Sequence, residues 1–262
     1  MGVIALLTDF GLDDNFVGVM KGTIYRINPG ARIIDLCHQV ESHNIREAAL
    51  LLKSSYPYFP EGTVFLAVVD PGVGTMRKSV IVETERYLFV APDNGVLSFL
   101  MEGDIKRIIQ ITNEEYFLKP VSRTFHGRDI FAPVAAHLSK GENVEKFGPR
   151  IREIDRLEFP EPQVKNKRLV GEVIYVDRFG NLITNINQDT FLRYIEGKKF
   201  QIVIGKAKIS KISSSYQEGK QAQLIAIFGS FDNLEISLYR DNAFRRLNLN
   251  KGSKIYIQKG TT

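Results

Sequence analysis

The sequence predicts an α/β protein in which an N-terminal α/β domain with a mostly parallel central sheet precedes a C-terminal antiparallel β domain. Three observations predict it. Apolar runs rich in β-branched residues alternate with helix-spaced segments through the first half. The second half holds only short apolar runs separated by Gly, Asn and Asp turns. At 262 residues, 44% of them hydrophobic, the chain exceeds the usual size of a single core.

In order, Val3 to Leu7, Arg32 to Leu36, Thr63 to Val69 and Ser79 to Glu83 read as strands, several continuous enough to be buried on both faces. Phe16 to Ile27 has helical spacing and stops before Asn28-Pro-Gly. Ile45 to Ser55 repeats the pattern, ending near Tyr56-Pro-Tyr-Phe-Pro. Strand, helix, strand, helix, strand implies right-handed parallel crossovers. Ile130 to Leu138 reads as a further helix. The stretch from Arg156 to Lys167 has linker composition, which divides the chain into 1–160 and 168–262. Beyond it Leu169 to Asp177, Leu182 to Asn187, Phe200 to Ile204, Gln223 to Phe228, Leu234 to Leu238 and Lys254 to Gln258 read as strands, with Ser210 to Ser215 a polar loop.

Composition narrows the function. Lys and Arg total 35 against 30 Asp and Glu, but the excess is interleaved with acids and apolar residues, which argues for a solvated basic face and against a nucleic-acid partner. One cysteine, Cys37, excludes an internal disulfide and a cysteine zinc cage and fits a reducing compartment, so a cytoplasmic location is expected. The apolar start runs into Asp9 without a basic flank and reads as a strand, not a leader; no run is long enough for a membrane span.

In open α/β sheets ligands sit at the carboxyl ends of strands, so polar residues directly after apolar runs carry the interest. Thr8-Asp9-Phe10-Gly11 is the first such segment. Asp9 can grip a vicinal diol through two hydrogen bonds, or cap a helix, or join an acid cluster around a metal. Asp70-Pro-Gly-Val-Gly-Thr-Met-Arg77 follows a strongly apolar strand, is a poor match to dinucleotide or P-loop motifs, and holds an acid and an arginine seven residues apart. Asp93-Asn94-Gly95 is either an ordinary turn or a ligand contact. In Thr124-Phe-His-Gly-Arg-Asp129, His126 stands at a helix start, where the positive dipole end keeps imidazole a usable base. His38 and His137 read as structural. The second half offers Asp177-Arg-Phe-Gly-Asn-Leu182, Gly229-Ser-Phe-Asp232 and Asn242-Ala243, loops in which an aromatic beside an acid and an amide suits a heterocycle and an amino group.

Together and in this order these segments resemble the S-adenosyl-L-methionine hydroxide adenosyltransferases, a family related to the bacterial fluorinases and chlorinases, over nearly the whole chain. The resemblance implies hydrolysis of S-adenosyl-L-methionine to adenosine and methionine without a metal or other cofactor, by a homotrimer. It implies a catalytic set of Asp70, Arg77 and His126. It further implies substrate contacts at Asp9, Asp93, Asn94, Asp177, Phe179, Asn181, Ser230, Asn242 and Ala243, with Asp9 on the ribose hydroxyls, Phe179 and Asn181 toward adenine, and Asp177 with Ser230 toward the amino acid. Where the halogenases place small hydroxylated side chains around a halide, this chain has Asp70, Val73, His126 and Gly127. A carboxylate there repels halide, since like charges about 4 Å apart cost several kcal/mol at a partly buried effective dielectric. His43 stands where the fluorinases pack an aromatic on the sugar. The implied step is in-line attack of water on the 5′ carbon, with Arg77 stabilising developing charge and His126 and Asp70 accepting and orienting protons.

Overall fold

The protein is described by a computed structural model that covers residues 2–103, 105–220 and 223–260. The chain divides into two compact units, Met1–Glu158 and Phe159–Thr262.

The first unit runs β1 (Val3–Thr8), α1 (Phe16–Ile27), β2 (Arg32–Cys37), α2 (Ile45–Ser55), β3 (Val64–Val68), β4 (Ser79–Thr84), β5 (Leu88–Pro92), β6 (Ile105–Gln110), α3 (Ala132–Ser139) and β7 (Arg150–Ile151). Its sheet has the order β2-β1-β3-β5-β4-β6-β7. The pairs β2/β1, β1/β3 and β3/β5 are parallel, whereas β4, β6 and β7 continue the sheet antiparallel. The run from Ser79 therefore enters the sheet reversed, because the chain turns back at Asp70–Lys78 without a crossover helix.

The continuous apolar runs of β1 and β3 follow from burial on both faces. Ile4, Leu6, Val64 and Leu66 pack with Met20 and Ile24 of α1 and with α3. Ala5, Leu7, Phe65 and Ala67 point to the other face and pack with Ala48, Ala49 and Leu52 of α2. Asn44 caps α2 by accepting from the Glu47 N–H at 3.0 Å. The α1 cap position is Asn15 and its first turn holds no acid, so Asp9 is not a helix cap. The helix expected from Ile130 instead begins with one π turn, Gly127–Phe131, before α3, whose early Pro133 needs no N–H partner.

The second unit contains β8 (Gln163–Lys165), β9 (Arg168–Val176), β10 (Leu182–Asn187), α4 (Gln188–Ile195), β11 (Phe200–Ile204), β12 (Ala207–Ile209), β13 (Leu224–Phe228), β14 (Asn233–Leu238), α5 (Ala243–Leu247) and β15 (Lys254–Lys259). Its strands pair antiparallel in the order β12-β11-β15-β9-β10-β14-β13, with β8 on β9. The segment with linker composition thus contains a strand. Asn166 and Lys167, at φ 49° and 59°, make the tight β8–β9 hairpin turn. Two short helices were not foreseen: α4, capped by Asn187 on the Thr190 N–H, and α5, capped by Asn242 on the Arg245 N–H. Among the described residues no helix is long and apolar enough to cross a membrane.

Candidate active site

Asp9, Asp70 and Asp93 follow the carboxyl ends of β1, β3 and β5, which are neighbours and parallel. Thr8 pairs with Val68 and Leu66 with Val90, so the three acids leave the sheet at one end. The antiparallel start of β4 brings Arg77 to that same end, since Ser79 pairs with Pro92. Strand register, parallel for the three acids and antiparallel for Arg77, gathers these groups.

Asp70, Arg77 and His126 meet there. Arg77 Nε lies 2.9 and 3.0 Å from the two Asp70 carboxylate oxygens, and Nη2 lies 2.5 Å from Oδ2. The same Nη2 lies 2.8 Å from His126 Nδ1, while Nη1 donates to Ser79 Oγ at 2.7 Å. The guanidinium also sits 5.1 Å from the centre of the Phe131 ring. The Arg77 and Asp70 side chains are only 10% and 5% exposed, so this is a buried, forked pair and not a surface ion pair.

A guanidinium has no acceptor, so Arg77 donates and His126 Nδ1 accepts. The ring is then neutral with its proton on Nε2. Its pKa is pushed below the ordinary histidine value, first by burial and then by the Arg77 charge, against the opposing pull of Asp70 and Asp129. With Nδ1 occupied, the free ring edge is an N–H donor, whereas the sequence suggested a base.

Two loops hold this geometry. Gly74 has φ +74°, and a Cβ there would come within 2.2 Å of the Arg123 carbonyl oxygen, so the Asp70–Lys78 loop packs backbone to backbone on the segment before His126. Asp129, fully buried, accepts from the Ser122 N–H at 2.8 Å and from Arg128 Nε at 2.6 Å. It anchors that segment from the other side.

Asp9 accepts the His43 N–H on Oδ2 at 2.8 Å, and His43 holds φ 66° to present it. Asp93 is buried and accepts the Asp155 N–H at 2.7 Å. Burial pushes its pKa above the usual carboxylate value, and the neighbouring Asp155 charge adds to this. Asn94 donates to the Val69 carbonyl at 2.9 Å and accepts from the Val96 N–H at 3.2 Å, so its amide braces the end of β3 next to Asp70.

In the second unit Asp177 Oδ1 accepts from the N–H groups of Phe179 and Asn181 at 2.9 and 2.8 Å, and Oδ2 accepts from Asn181 Nδ2 at 2.8 Å. This turn leaves Phe179 76% exposed, a large aromatic face unused by the fold of its unit. Gly180 abuts Asn242, and its carbonyl accepts from the Phe244 N–H at 2.9 Å, which joins the Asp177 turn to Asn242-Ala243. Ser230 is exposed in the turn after β13. Sequence reasoning missed buried Glu235, which accepts from Tyr216 Oη at 3.0 Å and underlies Gly229. Burial pushes Glu235 up, as does nearby Asp177, and burial with Glu235 raises Tyr216 to about 12. It also missed Ser79 and Phe131 around Arg77; their apolar setting hid them among core positions. Among the described residues no group of His, Cys, Asp and Glu is arranged to hold a metal ion.

Family models for the SAM hydroxide adenosyltransferase N-terminal and C-terminal domains match residues 4–148 and 171–256. A Methanocaldococcus jannaschii protein named (R)-S-adenosyl-L-methionine hydrolase is 40% identical, over 98% of this chain and 96% of its own length. A fluorinase of Nocardia brasiliensis is more distant, at 31% identity over 71% of each chain. The crystal structure of a conserved protein from Thermotoga maritima superposes with a TM-score of 0.91 at 41% identity, covering 98% of this chain and all of the other. With both domains matched and full-length relatives at this identity, the chain belongs to the S-adenosyl-L-methionine hydroxide adenosyltransferase family.

Proposed function

We propose that this protein hydrolyses S-adenosyl-L-methionine to adenosine and L-methionine by attack of water on the ribose 5′ carbon. The observation that carries this reading is the buried Asp70–Arg77–His126 cluster at the ligand-binding end of the sheet. The name of the archaeal relative specifies R; since L-methionine already defines the carbon centre, R describes the sulfonium, and we take that epimer as the substrate.

The C5′–sulfur bond breaks with its electron pair going to sulfur, so methionine leaves as a neutral thioether and needs no general acid. The new bond is oxygen to C5′, and one water proton must depart. The Asp70 carboxylate, with lone pairs left beyond those taken by Arg77, accepts that proton. His126 Nε2–H orients the water oxygen, and Arg77 stabilises the negative charge that builds on it. General-base help of this kind is typically worth about 10² to 10⁴ in rate. The carboxylate of Asp70 disfavours a halide at the same place. Asp9 holds the ribose hydroxyls, Asp93 and Asn94 border the nucleoside, Phe179 and Asn181 serve the adenine end, and Asp177, Ser230 and the Asn242-Ala243 backbone serve the amino acid. No cofactor is required by this chemistry. The working assembly is a homotrimer in the cytoplasm, and a solution mass three times the chain mass is the expected result of light scattering.

Incubation of the protein with each sulfonium epimer, with and without chloride, tests the reading by chromatography of products. Adenosine and methionine in both samples, lost in His126→Ala, are expected. A chloronucleoside would make the protein a halogenase, and binding without product would make it a sensor.

A further inference from the structure

Next to Asp9 lies a polar chain that the mechanism does not use, buried at Thr8 and His38 and open to solvent at Asp35 and Lys21. The Thr8 hydroxyl, on a residue with no exposed surface, is 2.9 Å from His38 Nδ1, and His38 is 4% exposed. His38 Nε2 lies 3.0 Å from Asp35 Oδ1, at an angle too bent for a full hydrogen bond, and Asp35 Oδ2 takes Lys21 Nζ at 2.6 Å. Thr8 Oγ1 accepts the Phe10 N–H at 3.3 Å and the His38 carbonyl accepts the Gly11 N–H at 2.7 Å. Asp9, between them, receives the His43 N–H. The chain that follows β2 therefore grips Thr8 before Asp9, Gly11 two residues after it, and the Asp9 carboxylate itself.

A hydroxyl, an imidazole and a carboxylate in a row have the order of a nucleophilic triad, but burial excludes that role, because no substrate atom can reach Thr8 Oγ1. The proton count gives the alternative. The Asp35 carboxylate keeps the His38 proton on Nε2, Nδ1 then accepts from the Thr8 hydroxyl, and the Thr8 oxygen is left to accept from Phe10. In this arrangement Nδ1 and the Thr8 hydroxyl are both satisfied, while the Asp35 charge alone holds the Nε2 side, and the chain braces Thr8 against His38.

We infer that His38 is a positioning residue for ribose recognition: acting through Thr8 and the Gly11 N–H, it aims the Asp9 carboxylate at the 2′ and 3′ hydroxyls without touching the ligand. The inference rests on the assignment of Asp9 to the ribose made above. A misaimed carboxylate makes one or neither of its two hydrogen bonds to the diol, whereas contacts to the base and to the reacting carbon are unaffected.

The experiment is calorimetric titration of adenosine and 2′,3′-dideoxyadenosine, whose affinity ratio isolates the diol, on wild type, Asp9→Ala, Thr8→Val, His38→Ala and His38→Asn, with kcat and KM for S-adenosyl-L-methionine. Loss of a hydrogen bond to a charged group shrinks that ratio about tenfold or more in Asp9→Ala, Thr8→Val and His38→Ala. KM rises in the last two while kcat holds, and His38→Asn, whose Oδ1 replaces the Nδ1 acceptor, recovers part of the ratio. If Asp9→Ala leaves the ratio unchanged, the ribose assignment fails and the inference with it. If Asp9→Ala collapses the ratio but folded Thr8→Val and His38→Ala keep the wild-type value, only the inference is overturned. Should His38→Ala not fold, Thr8→Val, which keeps the shape and removes one hydroxyl, decides by the same ratio.

Discussion

The Arg77 Nη2 nitrogen lies 2.8 Å from His126 Nδ1, and this one contact sets the protonation state of the ring. Protonating Nδ1 would oppose an N–H to an N–H beside a permanent positive charge. In that arrangement His126 is a neutral imidazole whose Nε2–H is left to donate, which suits the water-orienting role proposed for it.

Activity should follow that state. Because burial and Arg77 lower the His126 pKa, turnover persists below the ordinary histidine pKa of about 6.5 and falls only as pH drops through the lowered value. A kcat/KM profile checks this, and an acid limb centred at or above the ordinary value would contradict it.

Folding stability shares the sign. His126 and His137 both have lowered pKa values, His137 by burial first and then by Lys140. The unfolded chain binds protons before the folded one does, so their contribution is fully present above about pH 6.5 and is lost as pH falls through the folded values. Denaturant midpoints should decline across that window, and His137→Gln should flatten the decline.

Arg77→Lys removes the fork that serves Asp70, Ser79 and His126 together while retaining one charge. A loss of about 10² to 10³ in kcat is expected, the usual scale for one preorganised donor, with adenosine affinity kept. Wild-type turnover in this variant would make the arginine structural.

Asp70→Ala strands the buried guanidinium of Arg77 without its partner. Breaking such a pair costs about 3 to 5 kcal/mol of stability, whereas Asp70→Asn retains shape and acceptor and costs less. Both variants should lose turnover. If Asp70→Asn kept it, the carboxylate would not be the proton acceptor.

Gly74→Ala should separate the Asp70–Lys78 loop from Arg123, because the new methyl meets a backbone carbonyl at a positive φ. Activity is expected to fall much further than thermal stability. Equal losses in the two would show that the loop is part of the folding core.

Asp93 has a raised pKa, so its ionised form is disfavoured by the fold; its contribution to stability is present at low pH and lost as pH rises through the folded value. Asp93→Asn keeps an acceptor for the Asp155 N–H and should raise the melting temperature at neutral pH. A simultaneous drop in substrate affinity would identify Asp93 as a ligand contact as well as a brace.

Much of the fold is legible in local chemistry. The unbroken apolar runs of Val3–Thr8 and Val64–Val68 signal strands covered on both faces, and Asn28-Pro-Gly marks the end of α1. Legibility fails where the cause is not local. The helix Gln188–Ile195 buries only Phe191 and Ile195, too few positions to set a period, and Gln163–Lys165 is a strand only because β9 pairs with it. The same division holds in the site: Asp70 stands out after an apolar run, Arg77 as the arginine seven residues on and His126 beside Gly127 at a helix start, whereas Ser79, Asp129, Phe131 and His38 read as ordinary core or loop residues.

By itself the sequence determines which chemical groups this protein owns and which backbone each prefers, since those depend on neighbours a few residues away. The tertiary structure decides how the groups are used. Parallel register places Asp9, Asp70 and Asp93 at one end of the sheet, the reversal before β4 returns Arg77 to them, and packing at Gly74 brings His126 to the guanidinium. The donor geometry of that guanidinium then determines which ring nitrogen of His126 carries the proton, a result set by a contact between residues 49 positions apart.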